Sequence, residues 1–198
     1  MQAGESDRLA RGRSARRTLL LLAFVCAAPV LASYVAYYWL RPEARTNYGE
    51  LLEPATAPGI SGTRPGGPAF RLADLRGRWT LLIVAGGADC DARCERSLYA
   101  TRQAHTMQGR ERDRIGRVLL LPSSAPELPP ELLAEHPGVI VVKGDPQQWA
   151  ALPARPGAAP NIYLVDPHGN FILRYPSDPD IRRLAKDLER LLRASRIG

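Results

Sequence analysis

Residues 80–94 read TLLIVAGGADCDARC, and the fold follows from this stretch. Residues 80–85 form a continuous apolar run, the pattern of a strand buried on both faces, and Gly86-Gly87 ends it. Residues 91–107 then lack Pro and Gly and predict a helix, with Leu98 and Tyr99 available to its inner face. Residues 118–121 and 139–142 are two further short apolar strands, separated by a Pro-rich loop and a short helical segment at 131–135. Another helical turn is expected at 147–152. Residues 161–165 and 171–175 are β-prone and flank Asp166-Pro167-His168-Gly169-Asn170, a connection of hairpin length. Over 180–194, Ile181, Leu184, Leu188 and Leu191 or Leu192 recur at spacings of three and four, which predicts an amphipathic helix. This order gives an α/β domain, a mixed sheet flanked by helices in a thioredoxin-like arrangement.

The 198 residues bound what surrounds this domain: 27 Lys+Arg, 20 Asp+Glu, three Cys and three His fit one ordinary domain plus extras. The excess of positive charge comes from 25 Arg and two Lys scattered among acids, with no aromatic-interleaved basic face, so no nucleic acid is expected as a partner. Three cysteines cannot build a disulfide scaffold, and Cys26 lies in an apolar run away from Cys90 and Cys94.

Residues 18–40, TLLLLAFVCAAPVLASYVAYYWL, run 23 residues without a charge. As a helix they would rise roughly 35 Å, enough to cross a bilayer's hydrocarbon core. Arg8, Arg11, Arg13, Arg16 and Arg17 precede them, and Tyr34, Tyr37, Tyr38 and Trp39 crowd the far end as an interfacial belt would. The organisation expected is therefore a cytoplasmic basic tail (1–17), a transmembrane helix (18–40), a Pro/Gly-rich linker (41–68) and an exported domain (69–198). In a bacterium that is a single-pass inner-membrane protein facing the periplasm. A cleaved signal peptide is the competing reading, favoured by Ala27-Ala28 and Ala32-Ser33, although the apolar stretch is longer than a typical signal core.

Cys90 and Cys94 fall where the first buried strand gives way to the first long helix. At that end of an open sheet, backbone N–H groups and the helix dipole favour a thiolate. Four residues along a helix rise roughly 6 Å, so both sulfurs can face one side and either bridge or share a metal. Asp89 and Asp91 disfavour a thiolate, whereas Arg93 and Arg96 favour one. Structural zinc is not expected, because four ligands are usual and only His105, His136 and His168 could add to the sulfurs. His105 lies three helical turns beyond Cys94 and reads as a solvated helix residue, His136 before Pro137 as a surface residue, and His168 as too far along the hairpin to reach the cysteines. Met107 lies farther still along the helix than His105.

Residues 70–94, FRLADLRGRWTLLIVAGGADCDARC, resemble the opening of membrane-anchored periplasmic thioredoxin-like proteins. The three-residue spacer between the cysteines resembles that of the Sco/SenC family of cytochrome c oxidase assembly proteins. Residues 161–176, NIYLVDPHGNFILRYP, resemble the same superfamily's strand, Asp-Pro-x-Gly turn and strand. The resemblance implies a role in assembling an oxidase copper site, with Cys90 and Cys94 as Cu(I) ligands or as a redox dithiol in which Cys90 attacks. It implies partners among cytochrome c oxidase subunits or other periplasmic thiol or copper proteins. It also implies that Pro160 matches the thioredoxin cis-proline that faces the thiol substrate. The chain departs from the family at the third copper ligand, a histidine: an ungapped count back from Pro167 lands on Ala158. Asp91 replaces the proline after the first cysteine, and Gly86, Gly87 and Ala88 replace the tryptophans of redox relatives. These departures favour a rival reading, a non-catalytic assembly scaffold that keeps the fold and anchor.

Overall fold

The computed structural model describes residues 3–39, 47–56, 59–150, 152, 161–195 and 197, and the chain divides into two units, Met1–Thr46 and Asn47–Gly198. In the first, helix α1 (Ala3–Trp39) runs through Pro29 and continues back through the stretch read from sequence as a separate basic tail. Within it, Arg16–Ala36 is long and apolar enough to cross a membrane, and none of it is buried inside the structure. Leu40, expected to close the span, lies outside the described residues.

The second unit is built on an eight-stranded mixed sheet. Its elements in order are β1 (Glu50–Thr56), β2 (Ser61–Thr63), β3 (Ala69–Arg71), β4 (Trp79–Val84), α2 (Ala92–Thr106), β5 (Ile115–Pro122), α3 (Pro130–Glu135), β6 (Val139–Gly144), α4 (Pro146–Ala150), β7 (Asn161–Val165), β8 (Asn170–Tyr175) and α5 (Ile181–Ala194). The strand order is β1-β8-β7-β4-β5-β6-β2-β3. β4 pairs in parallel with β5 on one side and antiparallel with β7 on the other. A strand flanked on both sides, under layers on both faces, has no polar face to show, which is why TLLIVA reads as one apolar run.

Alternate side chains of these strands serve two cores. Leu81, Ile83, Leu119, Leu121, Ile162 and Leu164 pack with Cys94, Leu98, Leu184 and Leu188 beneath α2 and α5. Leu82, Val118, Leu120, Tyr163 and Phe171 form the other, with Ile60, Phe70, Leu72 and Trp149. Every member of both cores lies beyond Asn47, so the second unit holds a complete interior of its own. α2 buries Cys94, Ser97, Leu98, Thr101 and Ala104 at the three- and four-residue spacing of one helix face. Leu98 points inward as expected, but Tyr99 is 49% exposed and belongs to the outer face.

Residues read as a linker supply structure instead. β1 pairs antiparallel with β8 at one edge, and Pro54 falls within a register shift between Leu51 and Ala55. An edge strand with a bulge tolerates a residue that cannot donate to the ladder. β2 joins β6 at Thr63 opposite Lys143. There Gly62 is required by close approach, since a Cβ would stand 2.3 Å from the Lys143 carbonyl oxygen. The domain therefore begins near Asn47 and not at residue 69. Its entry is fastened to α5: the Gly49 N–H donates to Asp187 Oδ2 at 2.9 Å, and the Asp180 N–H donates to the Tyr48 hydroxyl at 3.0 Å. The Arg183 guanidinium lies over the Tyr48 ring, 4.4 Å from its centroid.

Candidate functional site

The end of β4 delivers the chain to the candidate site. The Ala85 N–H still bonds to the Leu120 carbonyl at 3.1 Å, and the next residues leave the sheet to reach Asp91. Asp91 is the N-cap of α2: its backbone is extended, and its Oδ1 accepts the N–H groups of Arg93 at 3.1 Å and Cys94 at 2.9 Å. The Cys94 N–H bond is the main cause holding this carboxyl below the ordinary carboxylate range, with Arg93 adding to it and slight burial opposing it. From sequence Asp91 reads as a charge opposed to a thiolate and as the replacement of a family proline, and the structure adds its capping role. The available signal was an acidic residue immediately before a run free of Pro and Gly.

The cap places Cys90 just before the helix and Cys94 within its first turn. The two sulfurs are joined as a disulfide, with Cα atoms 5.1 Å apart. They are unequal in access: Cys94 is fully buried in the core beneath α2, whereas Cys90 is only partly buried. Below them, the Ser97 hydroxyl bonds to the carbonyls of Arg93 at 3.0 Å and Ser177 at 2.6 Å, tying the first turns of α2 to the loop before α5. Arg96 and Asp178 make an exposed pair at 3.5 Å across the same gap. Such a pair contributes little to stability, about 0–1 kcal/mol.

Asn161 opposes Val84, so β7 starts at the cysteine end of the sheet. Pro160 itself, the residue matched to a substrate-facing proline, lies outside the described residues. The histidines gather elsewhere. His168 lies in the β7–β8 turn, at the opposite end of β7 from Asn161, and its N–H donates to Asp166 Oδ1 at 2.9 Å. His105 is in the last turn of α2, half-buried, its pKa lowered by burial and by Arg117. His136 corrects the expectation of a surface residue: it is 3% exposed, and burial, then Arg102 and Arg117, lower its pKa. Arg117 beside it is equally buried, and its guanidinium donates to the Pro137 carbonyl. Among the described residues no group of three or more His, Cys, Asp or Glu side chains forms a metal cage.

A family model described as transmembrane-like, thioredoxin-like, C-terminal domain matches residues 79–195, which include β4, both cysteines and α5. The chain belongs to this family. Solved structures share the family's fold at low identity. The copper-bound ScoI of Arabidopsis thaliana is 18% identical, with 71% of this chain and 100% of that chain covered and a TM-score of 0.57. The copper-bound ScoI of Bradyrhizobium japonicum is 21% identical over 69% and 99% of the two chains, with a TM-score of 0.53. The thioredoxin domain of a thiol-disulfide oxidoreductase from Bacteroides vulgatus is 16% identical over 72% and 99%, also with a TM-score of 0.53. A comparison with curated protein sequences returned no match.

Proposed function

We propose that this chain is a membrane-anchored thiol-disulfide exchange protein whose Cys90–Cys94 pair serves cysteines of an extracytoplasmic partner during assembly of an oxidase copper site. The observation that carries this reading is the asymmetry of the pair: bridged, seated at the start of α2, with Cys90 reachable and Cys94 sealed in the core. In the reduced protein the Cys90 thiolate attacks one sulfur of the partner's disulfide, forming a mixed disulfide, and the partner's other sulfur leaves as a thiolate. Cys94 then attacks Cys90, the bond to the partner breaks, and the partner's second thiolate departs. Two electrons have passed to the partner, and the protein is left in the bridged form. The apolar helix and the arginines before it support an anchor with its N-terminus in the cytoplasm and the thioredoxin-like domain in the periplasm.

The ScoI structures named above hold bound copper, and two thiolates here offer soft donors that suit Cu(I). The donor set of this chain does not complete the third position. No histidine occurs between residues 137 and 167, and His105, His136 and His168 all lie away from the cysteine end. Among the described residues no third ligand joins the two sulfurs, so no step above passes through copper.

Two titrations of the purified full-length protein test the proposal. Against glutathione couples, the pair should interconvert reversibly and as a two-electron unit, read by alkylation and mass. A pair that stays bridged under strongly reducing couples, together with normal oxidase copper content in cells carrying Cys90→Ser, would instead establish the scaffold reading. In anaerobic Cu(I) competition the reduced protein should hold copper weakly. Tight one-to-one binding lost in Cys90→Ser would move the assignment to metal delivery.

A further inference from the structure

We propose that the outward face of α5 docks on a bilayer surface bearing anionic headgroups. Residues 47–198 carry 20 Lys+Arg and 17 Asp+Glu, and α5 alone carries five and two, so the domain's whole positive excess sits on one helix. The helix is also sorted by face. Asp187 is turned inward, 2% exposed, under the Gly49 N–H, while Arg182, Arg183, Lys186, Arg190 and Arg193 face outward with Glu189 as the one exposed acid. Arg193 is taken by Glu189. Arg182 and Lys186 make no ion pair among the described residues and line a groove of ≈ 580 Å³ in which Met107, 56% exposed, supplies an apolar wall and the two acids, Glu111 and Glu189, are paired with Arg114 and Arg193.

A bilayer is the acidic surface within reach of a domain tethered this closely to a membrane helix. The anchor of the proposed function, on which this inference rests, leaves only residues 40–46 before the domain, and seven residues extend at most about 25 Å. They arrive at Tyr48 and Gly49, the two residues fastened to α5 by Asp180, Arg183 and Asp187. The basic helix therefore packs on the segment through which the chain enters the domain. Leu51, two residues on, is 72% exposed and stands opposite Leu173, on the sheet face that α5 covers. An exposed leucine and a cationic helix face in one domain suit an interface of headgroups and acyl chains.

Residues 47–198, which contain both cores, can be tested alone by co-sedimentation with vesicles of phosphatidylcholine, with and without phosphatidylglycerol. The domain should bind the anionic vesicles selectively, and added salt should release it. Arg182→Gln/Lys186→Gln should weaken binding on the order of 25-fold, about fivefold for each charge removed near the surface, with an unchanged melting temperature. Equal binding to both vesicle types, no binding to either, or full binding by the double variant would overturn the proposal. Alkaline extraction of membranes carrying the full chain tests the anchor separately. A chain released by alkali whose isolated domain still binds anionic vesicles would refute the anchor and keep the surface; an embedded chain whose domain ignores them would do the reverse.

Discussion

Replacing Asp91 by Ala and by Asn separates its two effects. The carboxylate accepts N–H groups at 3.1 and 2.9 Å from Arg93 and Cys94, so it satisfies donors of the first turn of α2 that the helix leaves open. Loss of such a cap costs about 1 kcal/mol, whereas Asn caps about as well as Asp. For a domain of this size, about 1 kcal/mol lowers Tm by roughly 2–4 °C, so Asp91→Ala should melt lower by that amount and Asp91→Asn within a degree or so of the parent. Both variants remove a negative charge adjacent to Cys90. At roughly 6 Å and an effective dielectric of about 50, that repulsion is on the order of 1 kcal/mol against the thiolate. Both should therefore alkylate faster at neutral pH in the reduced state and show a less negative potential by about 25 mV. The pH dependence has a fixed sign. The folded carboxyl titrates below its unfolded value of 3.8, so the parent's advantage over Asp91→Ala is present above that value and shrinks as pH falls through the folded one. Thermal melts and iodoacetamide rates on the reduced proteins give the answer. If Asp91→Asn melts as low as Asp91→Ala, or if neither variant alkylates faster, the reasoning about this cap is wrong.

Three other expectations come from the interior. His136 is buried with a lowered pKa, so the unfolded chain binds its proton first and stability falls as pH drops below about 6.5; urea midpoints at pH 8 and pH 5 should differ less in His136→Gln than in the parent. A Cβ at Gly49 would stand 2.6 Å from the Tyr175 ring, itself 1% exposed, so Gly49→Ala should cost about 1–3 kcal/mol, seen as a lower denaturation midpoint. Leu98→Ala empties a site beneath α2 that is 1% exposed and should cost about 2–5 kcal/mol in the same measurement.

Most of the domain was legible in the sequence because its central strands are buried on both faces and its helices on one. TLLIVA, the punctuation at Gly86-Gly87 and the spacing of Leu184, Leu188 and Leu191 or Leu192 are local signals, and β4, α2, β8 and α5 lie within a residue or two of the bounds they predict. The edge of the sheet was not legible. Pro54 and Gly62 argue against strand locally, and only the bulge in β1 and the close approach of β2 to β6 make them compatible with it. His136 reads as a surface residue for a related reason: it follows a short helix in a loop, where no periodicity reports burial, and the charges of Arg102 and Arg117 that act on it come from α2 and β5. At the site, the spacing of Cys90 and Cys94 showed that they could meet. Which of them faces solvent depends on where α2 begins, and Asp91 fixes that point.

The central claim is that Cys90 attacks and Cys94 resolves, and the reaction of single-cysteine variants with oxidised glutathione tests it most directly. Reduced Cys94→Ser should accumulate a stable glutathione adduct on Cys90, while the parent passes through the adduct to its internal disulfide. In the isolated domain of residues 47–198, which lacks Cys26, Cys90→Ser is left with only the buried Cys94 thiol and should react slower by orders of magnitude. If Cys90→Ser forms its adduct as fast as Cys94→Ser, the burial asymmetry does not set the order of attack and the exchange mechanism derived from it is contradicted.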